Sequence, residues 1–146
     1  MDKIPKFLAW PYSKKKLLVQ VFYLMVGFRI GLWVLPSRFF NTSLSDLELS
    51  DDTRKPDWKI ISEVVAFVRF CSRFIPHATC LTQALTARTV LRRLGQNCSL
   101  KIGVDKDQDR KFLAHAWIVI DGKIIIGNVR DIRRYSIMSH NREQLV

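Results

Sequence analysis

The sequence predicts an α+β fold in which helices come first and a small antiparallel sheet follows. Three helical segments precede residue 95, and an alternating strand and a hairpin come after it. The hairpin is the clearest element, because the apolar, β-branched arms of residues 112–128 flank Asp121-Gly122. That dipeptide is typical of a two-residue type I′ turn. Helices followed by a three-stranded meander are typical of α+β domains.

Composition limits the class of protein. A length of 146 residues fits one domain with a real core, and 24 Lys and Arg against 13 Asp and Glu give a net charge of +11. This balance fits an anionic partner, namely a nucleic acid, a membrane surface or an acidic peptide. The chain has no zinc-ligand spacing and no glycine-aromatic sheet motif, so we expect no nucleic-acid partner.

The three cysteines are Cys71, Cys80 and Cys98, an odd number without metal-like spacing. A disulfide framework and a metal site are therefore not expected. A reducing cytoplasm is the simplest setting for such a chain. The basic start lacks a short apolar core with a small-residue cleavage site, so no signal peptide is predicted.

The first helix is predicted over about 14–35, and its apolar stretch is long enough to span a bilayer. Arg29 lies inside that stretch, Gln20 adds polarity, and basic residues flank both ends, so no orientation is specified. We expect a largely buried or partner-facing helix, with an interfacial membrane helix as the alternative. Residues 1–40 hold seven basic residues and one acidic, which suits weak membrane-surface contact.

A polar, turn-rich linker over 41–56 divides the chain in sequence. Residues 1–55 are predicted to form an N-terminal helical segment with an irregular lead-in and this linker. Residues 56–146 are predicted to form the core, and the two parts are expected to pack as one unit.

The second and third helices have clear boundaries. Pro56 suits the first turn of the second helix, and Pro76 ends it. The third follows at once, with Thr79 as its N-cap and Gly95 as the residue after its C-terminus. After it, residues 98–104 alternate as a strand and a charged loop over 105–110 leads to the hairpin.

Cys80 is the candidate nucleophile because it lies in the first turn of the third helix. Unpaired N–H groups and the positive end of the helix dipole stabilise a thiolate at that position. The backbone N–H of Cys80 is the expected oxyanion donor. Cys71 and Cys98 are expected to be small buried hydrophobic residues.

The hairpin supplies a candidate base and its orienting group. With a two-residue turn at 121–122, paired positions place residue 118 opposite 125 and His115 opposite Asn128. An Asn carbonyl beside an imidazole can hold one ring nitrogen as N–H and direct the other to a thiol. Cys80, His115 and Asn128 would then be nucleophile, base and orienter.

Other side chains compete for these roles. Asp121 and Asp131 are rival orienters, although Asp121 is expected to be a solvated turn residue and Asp131 lies three residues beyond the pairing. His77 is a second possible oxyanion donor, with a solvated loop histidine as the alternative.

The segment "PHATCLTQALTARTVLRRLGQNCSLKIGV", together with "FLAHAWIVIDGKIIIGN", resembles the transglutaminase-like cysteine proteases of lasso-peptide biosynthesis. The resemblance covers roughly residues 58–130. It implies a transglutaminase/papain-like core in which Cys80, the His115 of AHAW and residue 128 form the triad. The family commonly has Asp at the last position, where this chain has Asn128.

The resemblance implies a cytoplasmic leader peptidase that cuts a ribosomally made lasso-peptide precursor without a cofactor. The implied partners are the precursor leader peptide, a small leader-recognition protein acting in trans, and a lasso cyclase. The chain is predicted to be the protease half of a split system, with a location peripheral to the membrane as an alternative. The alternatives are a non-catalytic scaffold for leader and cyclase, a membrane-surface adaptor, and an acyltransferase of the same fold.

Overall fold

Three helices precede four strands in a computed structural model that describes residues 9–34, 54–106, 112–130 and 132–137. The helices are α1 (Tyr12–Val34), α2 (Trp58–Ser72) and α3 (Cys80–Arg93). The strands are β1 (Ser99–Lys106), β2 (Phe112–Ile120), β3 (Lys123–Ile126) and β4 (Ser136–Ile137), with a short 3₁₀ helix over Ile132–Arg134. Most of the expected polar linker and of the charged loop after β1 lies outside the described residues.

Helix α2 begins at Trp58, two residues after Pro56, the residue expected in its first turn. Asp57 is the N-cap, and its Oδ1 accepts hydrogen bonds from the N–H groups of Lys59 and Ile60 at 3.0 and 3.3 Å. The carboxylate satisfies two N–H groups that have no intrahelical partner. Pro56 therefore precedes the cap instead of lying in the first turn.

Both predicted ends of α3 are confirmed. Thr79 is the N-cap, and its Oγ1 accepts the N–H of Thr82 at 3.4 Å. At the other end Gly95 adopts φ +73°, and the N–H of Gln96 donates to the carbonyl of Leu91 at 2.9 Å. This is the Schellman arrangement, which favours glycine because its φ is positive.

The predicted meander is confirmed, with a fourth strand at one edge. The antiparallel sheet has the order β3-β2-β1-β4. Strand β4 pairs only Ile137 with Gly103 and Ser136 with Val104. A strand of two residues has no periodicity to be recognised in a sequence.

The turn between β2 and β3 is of the expected kind. Asp121 and Gly122 have φ values of +48° and +72°, as a type I′ turn requires, and Ile120 pairs with Lys123. The first steps of the hairpin therefore follow the predicted register.

The register changes between Ile118 and Val119, close to the end of β2 at Ile120. Ile118 pairs with Ile126, not with Ile125, because a β-bulge inserts one extra residue into β3. The predicted pairing of residue 118 with 125 is therefore wrong, and so is the pairing of His115 with Asn128. A bulge shifts every later pair by one position, which turn length alone does not reveal.

The core lies between the helices and one face of the sheet. Helices α2 and α3 contribute most of the buried apolar residues, and β2 contributes Ala116, Ile118 and Ile120. Helix α1 contributes Val21 and Met25, which are fully buried. The first helix therefore packs into the same core as the other two, with Leu17, Leu18, Leu24, Val26 and Phe28 partly buried against that core.

Met25 tests whether α1 is part of the folded core. Met25→Ala should lower the free energy of unfolding by about 2–5 kcal/mol, because it removes a fully buried side chain and leaves a cavity. Ile30→Ala, on the exposed side of the same helix, is the matched control and should change it by less than about 0.5 kcal/mol. Urea unfolding followed by circular dichroism measures both. Equal effects would contradict the packing of α1 described above.

Candidate active site

Cys80 is the first residue of α3 and is half-buried at the margin of the core. The first intrahelical hydrogen bond runs from the N–H of Gln83 to the carbonyl of Thr79, at 3.1 Å. The N–H groups of Cys80 and Leu81 precede this bond, so the helix itself gives them no acceptor. Two backbone donors beside a thiol are the elements of an oxyanion site.

The turn that leads into Cys80 is held by hydrogen bonds. The N–H of Ala78 donates to the carbonyl of Ile75 at 3.3 Å, and Gln83 Nε2 donates to the carbonyl of Ala78 at 3.1 Å. His77, which lies between Ile75 and Ala78 in this turn, adopts φ +57°, which is uncommon for a residue with a side chain. His77 is exposed, as expected of a solvated loop histidine.

His115 is half-buried, and its imidazole is held in place by three neighbours. Its Nε2 lies 2.6 Å from the carbonyl oxygen of Gly127. Its ring stacks on Trp117 at 6.0 Å between centroids, and the ring of Tyr135 lies 5.4 Å away on a tilt. A carbonyl oxygen only accepts hydrogen bonds, so Nε2 must carry a proton. In the neutral ring the lone pair is then on Nδ1, which is the nitrogen able to act as a base.

Gly127 is a residue of the candidate site that the sequence reasoning missed. Its φ is +80°, and a Cβ there would overlap the carbonyl oxygen of Ala116 and come within 2.9 Å of Trp117 Cα. Only glycine fits so close to β2 with this backbone conformation. The available signal was a glycine directly after the isoleucines of β3, at the end of a strand.

Asn128 lies beyond the end of β3 and is exposed. The expected hydrogen bond from His115 to the Asn128 side chain is not formed, because the bulge brings the Gly127 carbonyl to the imidazole instead. Asp121 is an exposed turn residue, as expected. The other rival orienter, Asp131, lies outside the described residues.

The two faces of β2 differ in what they contact. Ala116 and Ile118 point into the core that contains α3, whereas His115 and Trp117 alternate with them and lie on the other face. Cys80 packs at the margin of that core. The structure therefore places Cys80 and His115 on neighbouring packed elements, α3 and β2, without a hydrogen bond between them.

The other two cysteines retain their protons at neutral pH. Burial raises the pKa of the Cys71 thiol. Burial also raises the pKa of Cys98 to about 11, although Arg88 and Arg92 act in the opposite direction. A protonated thiol is a poor nucleophile. Neither residue is therefore suited to covalent chemistry at pH 7.

Within the described ranges there is no group of three or more His, Cys, Asp and Glu side chains placed to hold a metal ion. The polar groups beside the candidate residues are backbone groups: the first N–H groups of α3 at Cys80 and the Gly127 carbonyl at His115.

Comparison with known protein families gives a match. The model of a family described as the transglutaminase-like superfamily matches residues 22–140, which include Cys80, His115 and Asn128. No curated protein and no solved structure matches the chain. The match covers most of the chain and extends from α1 to beyond β4.

The hydrogen bond to Gly127 predicts the tautomer of His115. The neutral imidazole should be the Nε2–H form, measured by ¹⁵N chemical shifts and long-range ¹H–¹⁵N correlation at pH 8. Asn128→Ala is the control and should leave the tautomer unchanged, since the acceptor is a backbone carbonyl. An Nδ1–H form, or a change of tautomer in Asn128→Ala alone, would contradict this geometry.

The raised pKa values of two cysteines predict selective alkylation. At pH 7 iodoacetamide should label Cys80 first, because Cys71 and Cys98 remain thiols. The thiolate of Cys98 is half-formed only at about pH 11, so its labelling should rise steeply as the pH is raised towards that value. Peptide mass spectrometry at pH 7 and 9 measures this order, with the unfolded protein in urea as the control. Equal labelling of all three in the folded protein would exclude a distinct Cys80.

Proposed function

Because the chain belongs to the transglutaminase-like superfamily, which includes cysteine proteases and acyltransferases, we propose that it is a cysteine peptidase. Its proposed substrate is the precursor of a ribosomally made lasso peptide, and the bond cut is the one between leader and core. Cys80 is the nucleophile and His115 is the base. The observation that carries this proposal is the position of Cys80 at the free N–H groups that open α3, the helix packed on the strand of His115.

The proposed reaction follows from these groups. Cys80 Sγ attacks the scissile carbonyl carbon as its proton passes to Nδ1 of His115, and the N–H of Cys80 binds the oxyanion. His115 then protonates the leaving amine as the C–N bond breaks. Water, deprotonated by His115, attacks the thioester, releases the leader carboxylate and restores the thiol.

Orientation of the base falls to the backbone in this mechanism. The Gly127 carbonyl accepts from Nε2 and leaves Nδ1 free to take a proton, the role first assigned to the Asn128 side chain. Trp117 and Tyr135 limit rotation of the imidazole. Asn128, next to Gly127 and exposed, is in turn available to contact a bound peptide.

The substrate and partners rest on the resemblance of the helix of Cys80 and the AHAW strand to lasso-peptide proteases. The proposed partners are the precursor leader, a small leader-recognition protein in trans and a lasso cyclase, all in the cytoplasm. The net charge of +11 is favourable for an acidic peptide.

One observation favours a non-catalytic scaffold as the second candidate. Proton transfer requires the base within hydrogen-bond reach of the thiol, and Cys80 and His115 form no such bond and belong to different surroundings. Peptidase activity therefore requires that substrate binding bring them together. A scaffold would bind leader and cyclase without that change.

Cleavage of a precursor peptide tests the nucleophile. Cys80→Ala should remain folded and lower kcat/KM by at least about 10³-fold, because it removes the attacking sulfur. Cys98→Ala is the matched control and should keep the rate within about threefold, since that thiol is protonated. The assay follows the leader and core products by mass spectrometry, with and without the leader-recognition protein.

The same assay separates the alternatives. Normal turnover by Cys80→Ala would exclude Cys80 as the nucleophile. Tight leader binding by the wild type with no product, even with the recognition protein, would favour the scaffold. An amide product after addition of a primary amine, in place of the free leader carboxylate, would indicate an acyltransferase.

A further inference from the structure

Helix α1 has an apolar face turned away from the protein. Residues at spacings of four and three along its length all lie on one side and are exposed: Tyr12, Lys16, Val19, Tyr23, Gly27, Ile30 and Val34. We call this set the outward stripe. Only Lys16 in it is charged. A soluble helix places polar residues on this side, so the outward stripe needs another explanation.

The exposure of α1 is large for so apolar a helix. Among the described residues it is the one helix long and apolar enough to cross a membrane, yet only 17% of its apolar window is buried. Trp33, beside the outward stripe, is 82% exposed and Tyr23 within it is 71% exposed. Hydrophobic side chains in contact with water at this density mark an interaction surface.

The opposite side of α1 is occupied by the protein. Val21 and Met25 are buried in the core, Lys14 Nζ lies 3.1 Å from Glu63 Oε1, and Arg29 Nε donates to the Pro76 carbonyl at 3.4 Å. These contacts hold the helix along the protein surface over most of its length. Lipid could therefore reach the outward stripe and exposed neighbours such as Trp33, but not the inward side, which favours a helix lying along a bilayer surface over one that crosses it.

The chemistry of the exposed side suits a lipid surface. Tyr12 and Trp33 stand exposed near the two ends of a helix about 34 Å long, and such side chains favour the headgroup level. Lys14, Lys15 and Lys16 are clustered at its N-terminal end, and the chain carries +11 overall. Anionic headgroups complement this charge.

A protein partner is less well matched to the outward stripe. Protein interfaces carry about one hydrogen bond per 100–200 Å². The outward stripe offers only the side-chain polar groups of Tyr12, Lys16 and Tyr23, since backbone groups within a helix are already paired. The apolar region of a bilayer is fluid, so binding to it needs no hydrogen bonds at fixed positions.

We propose that the outward stripe of α1 inserts into the headgroup–acyl boundary of an anionic bilayer and holds the protein at the membrane surface. This inference does not depend on the peptidase reaction. A scaffold or an acyltransferase of the same fold would carry the same surface.

Vesicle flotation tests the proposal with the full chain at 150 mM salt. Binding to vesicles with 30% phosphatidylglycerol should exceed binding to pure phosphatidylcholine, and should fall as salt is raised. Ile30→Glu and Val19→Glu should each lower the partition coefficient at least about tenfold, through lost apolar insertion and added negative charge. Leu94→Glu, an exposed leucine after α3 with the same charge change, is the matched control and should retain binding.

Three outcomes would overturn the proposal. One is no flotation with anionic vesicles. Another is flotation that Ile30→Glu and Leu94→Glu weaken equally, which would indicate charge without insertion. The third is a dimer, seen by light scattering, that Ile30→Glu dissociates while vesicle binding is absent, which would assign the outward stripe to a second copy. Circular dichroism of each variant establishes that it is folded.

Discussion

The hydrogen bond between His115 Nε2 and the Gly127 carbonyl is the contact on which the candidate site depends. It exists because the bulge in β3 and the positive φ of Gly127 bring the chain across β2 at a distance no side chain would tolerate. A backbone carbonyl acceptor differs from a side-chain amide or hydroxyl in one respect. Since a carbonyl never donates, it determines which ring nitrogen holds the proton in the neutral imidazole. The candidate base is therefore directed by the path of the backbone.

The alternation of side chains in β2 accounts for the separation of His115 from Cys80. Ala116 and Ile118 are needed in the core, so His115 and Trp117 must face the other way. Gly103 lies opposite His115 on β1. A Cβ at position 103 would clash with Trp117 and Tyr135, so glycine leaves room for both side chains on that face. The imidazole gains a rigid aromatic setting at the expense of direct contact with Cys80. Under the proposed reaction, coupling of the two groups would have to arise in the complex with substrate.

Local signals in the sequence were sufficient for much of this structure. Thr79 and Gly95 define the ends of α3, and Asp121-Gly122 defines the turn, because each acts through its own backbone geometry. The partner of His115 was not predictable in the same way. A bulge depends on how two strands pack on a common core, and turn length carries no information about it. The expected hydrogen bond from His115 to Asn128 is not formed for that reason, whereas the position of Cys80 at a helix start did not depend on register.

Helix α1 shows a related limit of prediction from sequence, and it also connects the outward stripe with the candidate active site. A helix that is apolar on all sides has no periodicity to indicate which side is buried, so composition alone could not separate a core helix from an interfacial one. The contacts of the folded chain separate them: Val21 and Met25 face inwards, and the outward stripe does not. The bond from Arg29 to the Pro76 carbonyl then ties α1 to the turn that leads into Cys80. Lipid held against the outward stripe would restrict the helix that supports this turn, so α1 would link membrane contact to the turn before the candidate nucleophile.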